Sequence, residues 1–215
     1  MRSIETAPQL YAHLGGALYL VIILFGDAAA TAPNIVGAPL LWQGNVMANL
    51  LVVLCAVPLL WIEYLLLRPV SKNLVLLAVL LNLVSLAVEA MSKVFLLMVM
   101  PTLAEAESLH GLGTQQGPLL ASFALRAHAI SFNVALLFFG GTCLVNGYLI
   151  FKSGYLPRVI GILMQVAGGC YRIACWVALF SLALSQMLLP TLLLPSLLGE
   201  SSLCLWLLVK GVDSA

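Results

Sequence analysis

Leu65-Leu-Leu-Arg68-Pro-Val-Ser-Lys72-Asn-Leu-Val-Leu-Leu77 is the stretch that decides the fold. Two cations and a proline separate an apolar run ending at Leu67 from another beginning at Leu74. Each run reaches the roughly 20 residues that a helix needs to cross about 30 Å of hydrocarbon. Pro69 ends the first helix, and the charged turn holds the ends of both helices in water. The stretch therefore reads as the tip of a transmembrane helical hairpin.

The same pattern extends in both directions. Apolar runs cover Leu10–Phe25, Leu41–Leu67, Leu74–Met100, Leu119–Phe151, Leu156–Leu184 and Leu188–Val209. The first is short, and the fourth is long enough to tilt or to begin outside the hydrocarbon. Six of the nine basic residues flank these runs: Arg2, Arg68, Lys72, Lys152, Arg158 and Lys210. They fall in alternate gaps, which the positive-inside rule assigns to the cytoplasm. The connections 26–40, 102–118 and 185–187 hold no cation and should face outward. The expected fold is all-α, a polytopic integral membrane bundle of six transmembrane helices with both termini cytoplasmic, forming one domain over 1–215.

Composition agrees. Of 215 residues, 63% are hydrophobic and 8% charged, far from the quarter or so that soluble domains carry. A net charge of +1, with dispersed cations, gives no basis for nucleic-acid binding. Cys55, Cys143, Cys170, Cys175 and Cys204 all lie in apolar runs and read as small buried hydrophobes rather than metal ligands or disulfides. Arg2, the run from Leu14 to Phe25 and Ala28–Ala30 resemble a secretory signal, but the segment is read as the first span.

Four stretches carry a family resemblance. They are Gly26-Asp-Ala-Ala-Ala-Thr-Ala-Pro-Asn34, Leu67-Arg-Pro-Val-Ser-Lys-Asn73, Gly147-Tyr-Leu-Ile-Phe-Lys-Ser-Gly-Tyr-Leu-Pro-Arg158, and Leu198-Gly-Glu200 with Leu205-Trp-Leu-Leu-Val-Lys-Gly211. Through them the chain resembles the bacterial integral membrane family catalogued as domain of unknown function 4386. The resemblance implies a small, all-helical, multi-pass protein of the bacterial inner membrane and implies no activity. Glu89, Lys93 and Arg172 depart from the family pattern, so a role for them would belong to this branch alone.

Three cations, Lys93, Arg126 and Arg172, lie inside the spans together with Glu89 and Glu200. A charge at mid-bilayer costs about 2.5–3.5 kcal/mol even on lenient scales, so these groups should face a polar interior. Helical spacing supports that on four spans. Asn82, Ser85, Glu89, Ser92 and Lys93 form one stripe, and Asn45, Asn49 and Glu63 another. His128, Ser131, Ala135, Phe139, Thr142 and Asn146 share a face of the fourth span, with Arg126 and Asn133 beside it. On the fifth, Gln165, Gly168, Gly169, Arg172 and Trp176 align. At 1.5 Å per residue, Lys93, Arg126 and His128 would lie about 10–15 Å below the outer helix ends, and Glu89, Arg172 and Glu200 about 16–20 Å below. One shared site is the expectation. Glu200 is expected to partner Arg172, and Glu63 to snorkel towards Arg68.

Two functions fit this pattern. The first is an intramembrane enzyme acting by acid–base chemistry on a lipophilic substrate, best a terpenoid (isoprenoid or meroterpenoid) cyclase or isomerase. A buried carboxylic acid can protonate an epoxide or alkene, and aromatic faces can stabilise the resulting carbocation. Glu89, Glu200 and Asp27 are the candidate acids. Lys93, Arg126, His128, Arg172, Asn133, Trp176 and Phe139 are the candidate substrate-binding residues. The second is a small transporter, or a protein that binds a lipid or organic anion through its Arg and Lys side chains. A phosphate loop, HExxH, GxSxG, an aspartate-rich motif and haem-spaced histidines are all missing, so no metal or cofactor is expected. The expected partners are the membrane and a lipophilic small molecule or lipid.

Overall fold

In hydrocarbon a backbone can satisfy its N–H and C=O groups only within its own helix or in a closed barrel, so long Leu, Val and Ala runs become helices. The computed structural model describes residues 8–26, 39–108, 116–180 and 182–212. Among them are six helices: α1 (Pro8–Gly26), α2 (Pro39–Leu67), α3 (Lys72–Ser108), α4 (Gln116–Ser153), α5 (Arg158–Phe180) and α6 (Leu182–Val209). Pro8 and Pro39 occupy first helical positions, where a missing N–H is not felt. Ser71 Oγ accepts from Leu74 N at 3.5 Å at the start of α3. Gly154 turns the chain between α4 and α5 with φ +78°, a conformation that favours glycine.

The helices form a closed ring. Each touches its neighbours in sequence, and α6 returns to α1; among the described residues the one further contact is between α2 and α4. Adjacent helices run antiparallel. Ser85 Oγ donates to Ala135 O at 2.7 Å and Thr142 Oγ1 to Ala78 O at 3.4 Å, which sets the register of α3 on α4. His13 Nδ1 meets Leu208 O at 2.8 Å, and the Gln9 amide donates to Val212 O, closing α1 on α6. The Tyr155 hydroxyl, in the α4–α5 turn, donates to Leu66 O at the end of α2. Both charged turns therefore lie at the same end of the ring as the start of α1 and the end of α6, and Arg68, Lys72, Lys152, Arg158 and Lys210 gather there.

Two glycine pairs set the seam between α4 and α5. A Cβ added to Gly147 would lie 2.7 Å from Gly161 O, and one on Gly161 would lie 2.6 Å from Gly147 O. One turn pair further out, Gly140 and Gly168 meet reciprocally at 2.9 and 2.6 Å. Backbones this close leave no room for a side chain, the arrangement by which membrane helices gain packing without a hydrophobic driving force.

The surface of the ring is apolar and its interior partly polar. Leu40, Met47, Leu54, Phe123 and Phe180 are exposed, while Asn45, Asn49, Asn82, Ser85, Ser92, Thr142 and Asn146 are buried. Five helices are long and apolar enough to cross a membrane; the apolar stretch of α1, Pro8–Leu24, is shorter. The protein is thus a multi-pass, all-α membrane protein.

Two expected boundaries moved. Helix α5 ends at Phe180 and α6 starts at Leu182, not at the expected 185–187 joint. Apolar residues run through this reversal with no glycine or proline to mark it. Pro190 and Pro195 consequently fall inside α6 and not in its first turn. Helix α3 also continues past Met100 and Pro101 to Ser108.

Candidate functional site

The intramembrane charges do not share one level. Two polar centres form instead, and two arginines join neither.

The first centre lies where α2, α3 and α4 meet. Lys93 is 2% exposed, and its ammonium reaches Glu89 Oε1 at 3.3 Å, one turn back on α3. It also donates to Asn49 Oδ1 at 2.9 Å and lies 4.8 Å from the centre of the Phe132 ring. Asn49 is fixed in turn, its amide donating to Asn45 Oδ1 at 2.9 Å. His128 Nδ1 meets Ser92 O at 3.0 Å and stacks on Phe132, with ring centres 6.0 Å apart. The stripes expected on α2 and α3 face inward here and are joined by Lys93 and Asn49, while Ser92 donates to Glu89 O of its own helix and Ser85 to Ala135 O of α4. A buried ammonium held by a carboxylate, an amide oxygen and a ring is fully engaged, which favours a fixed helix register over chemistry.

The second centre lies deeper towards the end that carries the charged turns. Asn49 and Glu63 are fourteen positions apart on α2, or about 21 Å along the axis. Glu63 Oε2 accepts from the Asn146 amide of α4 at 3.0 Å. On the facing wall, the Tyr171 hydroxyl of α5 donates to Glu200 Oε1 of α6 at 2.5 Å. Glu200 is buried, and the Phe139 ring meets Tyr171 edge-on with centres 5.6 Å apart. The buried Tyr19 of α1 belongs to the same packed cluster as Phe139 and Tyr171. Cys143 belongs to the same packed region. Glu63 of α2 is thus held by α4, and Glu200 of α6 by α5.

The arginines are placed otherwise than expected. Arg172 is exposed on the outside of the ring, its guanidinium stretched across α4. A Cβ on Gly141 would lie 2.9 Å from Nη2 of Arg172 and 3.3 Å from Leu81. The reason is the glycine seam: it turns Gly161, Met164, Gly168 and Cys175 inward, with Tyr171 at their edge, so the next position points out. Trp176, one turn further, is 55% exposed and stacks on Phe180. Arg126 is exposed as well. The Asn133 amide turns back to Ala129 O of its own helix at 2.8 Å. Glu63, expected to snorkel towards Arg68, points instead to Asn146. Asp27 lies outside the described residues.

Of the expected site, then, Glu89, Lys93 and His128 come together, and Glu200 and Phe139 come together elsewhere. Tyr19 was not foreseen, and Glu63, aligned with Asn45 and Asn49, was expected to reach Arg68 rather than Asn146. The Glu63 signal was present in its alignment with Asn45, eighteen residues or five helical turns away. A lone tyrosine in an apolar first span offered no comparable sign.

Among the described residues no group of His, Cys, Asp or Glu has the placement to hold a metal ion. Cys143, Cys175 and Cys204 are free thiols buried in the bundle. No curated protein and no solved structure matches this chain. Residues 10–211 do match the model of the family described as Domain of unknown function (DUF4386), and over that nearly complete span the protein belongs to this family.

Proposed function

We propose that the protein is an intramembrane enzyme in which the Glu200 carboxyl exchanges a proton with a lipophilic substrate. One observation carries this reading: the Tyr171 hydroxyl donates to the buried Glu200 carboxyl at 2.5 Å, between α5 and α6. A carboxyl engaged by a hydroxyl can pass a proton, whereas Glu89, engaged by Lys93, serves helix register. The Phe139 ring meets the Tyr171 ring edge-on near the acid, and aromatic rings can stabilise a carbocation. Terpenoid cyclisation or isomerisation is the reaction class that uses these parts. A proton adds to an alkene or epoxide, the cation rearranges, and a proton is lost.

All six helices, α1 included, are proposed to cross the bacterial inner membrane, with both termini in the cytoplasm. The gathering of Arg68, Lys72, Lys152, Arg158 and Lys210 at one end supports this orientation.

The test is to incubate membranes holding the protein with isoprenoid lipids in deuterated water. The wild type should convert an isoprenoid lipid to a product, with solvent deuterium at carbon where an alkene is protonated, and Glu200→Gln should not; equal conversion by both would refute the assignment.

A second reading, binding or transport of an anionic lipid or organic acid, is favoured by Arg172. Its guanidinium lies on the lipid-facing side over Gly141, with no acidic partner among the described residues. Under this reading Arg172→Leu abolishes function; under the first it does not.

A further inference from the structure

The charged end of the bundle is not uniform. Arg68, Lys72, Lys152, Arg158 and Lys210 all lie there, yet among the described cations of this end only Lys152 and Arg158 rest on aromatic rings. The Lys152 ammonium lies 4.9 Å from the centre of the Tyr148 ring, and the Arg158 guanidinium carbon 5.8 Å from that of Phe151. The glycine seam accounts for the second pair. A Cβ on Gly161 would lie 2.6 Å from Phe151 N, so α5 presses directly on α4 at this level. Arg158, about one turn earlier on α5, is thereby carried across the seam onto the Phe151 ring. Tyr148, Phe151 and Lys152 fall within about 100° of the α4 circumference at helical spacing. Both cations therefore stand over one strip of the bundle's outer face.

Three features of the strip point to one kind of ligand. Lys93 in the interior is engaged by a carboxylate, an amide oxygen and a ring, whereas Lys152 and Arg158 are exposed and form no ion pair or side-chain hydrogen bond among the described residues. Their donors are open to an anion, and an Arg with a Lys suits a phosphate. Beneath them the surface is apolar: Tyr148 is 40% exposed, Phe151 39%, and Ile162, one turn on from Arg158, 50%. A free anion would use the cations and leave this floor bare, whereas a lipid uses both. Depth agrees, since Lys152 lies one residue before the end of α4 and Arg158 opens α5, at the level of headgroups with the rings just below. We propose that this strip binds one anionic phospholipid of the adjoining leaflet, its phosphate between Lys152 and Arg158 and its chains against Tyr148, Phe151 and Ile162. The site is separate from the Glu200 chemistry and from Arg172, which lies fourteen positions beyond Arg158 on α5, about 21 Å away.

The experiment titrates the full chain in detergent with dioleoyl phosphatidylglycerol, and with dioleoyl phosphatidylcholine as the control of equal chains and no net charge. Native mass spectrometry counts the bound lipid. The wild type should take up its first phosphatidylglycerol about tenfold more tightly than phosphatidylcholine; equal affinities would overturn the proposal. The double variant Lys152→Gln with Arg158→Gln should lose this preference. Arg68→Gln with Lys72→Gln removes the same charge from the other turn and should keep it. A preference retained by the first pair, or lost equally in both, would overturn the site, the latter by making the effect one of net charge. Millimolar inorganic phosphate should not displace the lipid, and displacement would reassign the cations to a free anion. The wild-type comparison and the phosphate competition need no variant, so the test stands even if a double variant fails to fold.

Discussion

Tyr171 and Glu200 join α5 to α6 through one hydrogen bond, hydroxyl to carboxyl, at 2.5 Å in the interior of the ring. Tyr171→Phe keeps the ring that packs against Phe139 and removes only the donor. The expected loss is about 1–3 kcal/mol, the cost of depriving a buried acceptor of its partner. Thermal unfolding of the purified variant in detergent would measure it. A melting point equal to that of the wild type would mean the bond contributes nothing.

The glycine seam predicts a sharp contrast within one residue type. Gly161→Ala puts a methyl group 2.6 Å from Gly147 O and Phe151 N, so α4 and α5 must separate. It should destabilise by about 1–3 kcal/mol, as overpacking does. Gly169→Ala meets nothing within 4 Å and should be neutral or mildly stabilising. Equal effects at the two positions would remove the seam from the account.

Much of this was legible in the sequence. Runs of hydrophobic length, with cations in alternate gaps, fixed the helices and their alternation because membrane insertion leaves few other solutions. The inward faces of α2, α3 and α4 followed from polar periodicity, and Lys93 with Glu89 followed from the cost of leaving either charge in lipid. What failed was the face of α5. Arg172 looked inward because charge was taken to dominate the rotation of that helix. Close approach at Gly140–Gly168 and Gly147–Gly161 dominates instead, and a long arginine on an outer face can spread across Gly141. The α5–α6 reversal was hidden for a related reason: a turn within apolar sequence has no compositional edge.

Lys93→Met should be strongly destabilising, by about 3–5 kcal/mol, because it leaves the Glu89 carboxylate without its cation and Asn49 Oδ1 without its donor. The double change Glu89→Gln with Lys93→Met removes both charges and should recover most of the loss. A double-mutant cycle on unfolding would show coupling between the two sites. Strictly additive losses would argue against a working ion pair.

Tyr155 gives a pH signature at the charged end. Its hydroxyl, outside the spans, donates to Leu66 O, and burial pushes it from 10.0 up to about 12. The folded state thus holds the phenol proton more tightly than the unfolded chain. The stability this contributes is whole below pH 10 and is lost as pH rises from 10 towards about 12. Tyr155→Phe should flatten the unfolding profile across that window. An unchanged slope would show that the phenol is not linked to folding.

The most direct test of the central claim, that Glu200 is the working acid of the bundle, compares lipid extracts by mass spectrometry. The extracts come from membranes containing the wild type, Glu200→Gln or Arg172→Leu at equal protein levels. An isoprenoid product is expected that persists with Arg172→Leu and disappears with Glu200→Gln. An extract from Glu200→Gln membranes identical to that of the wild type would contradict it.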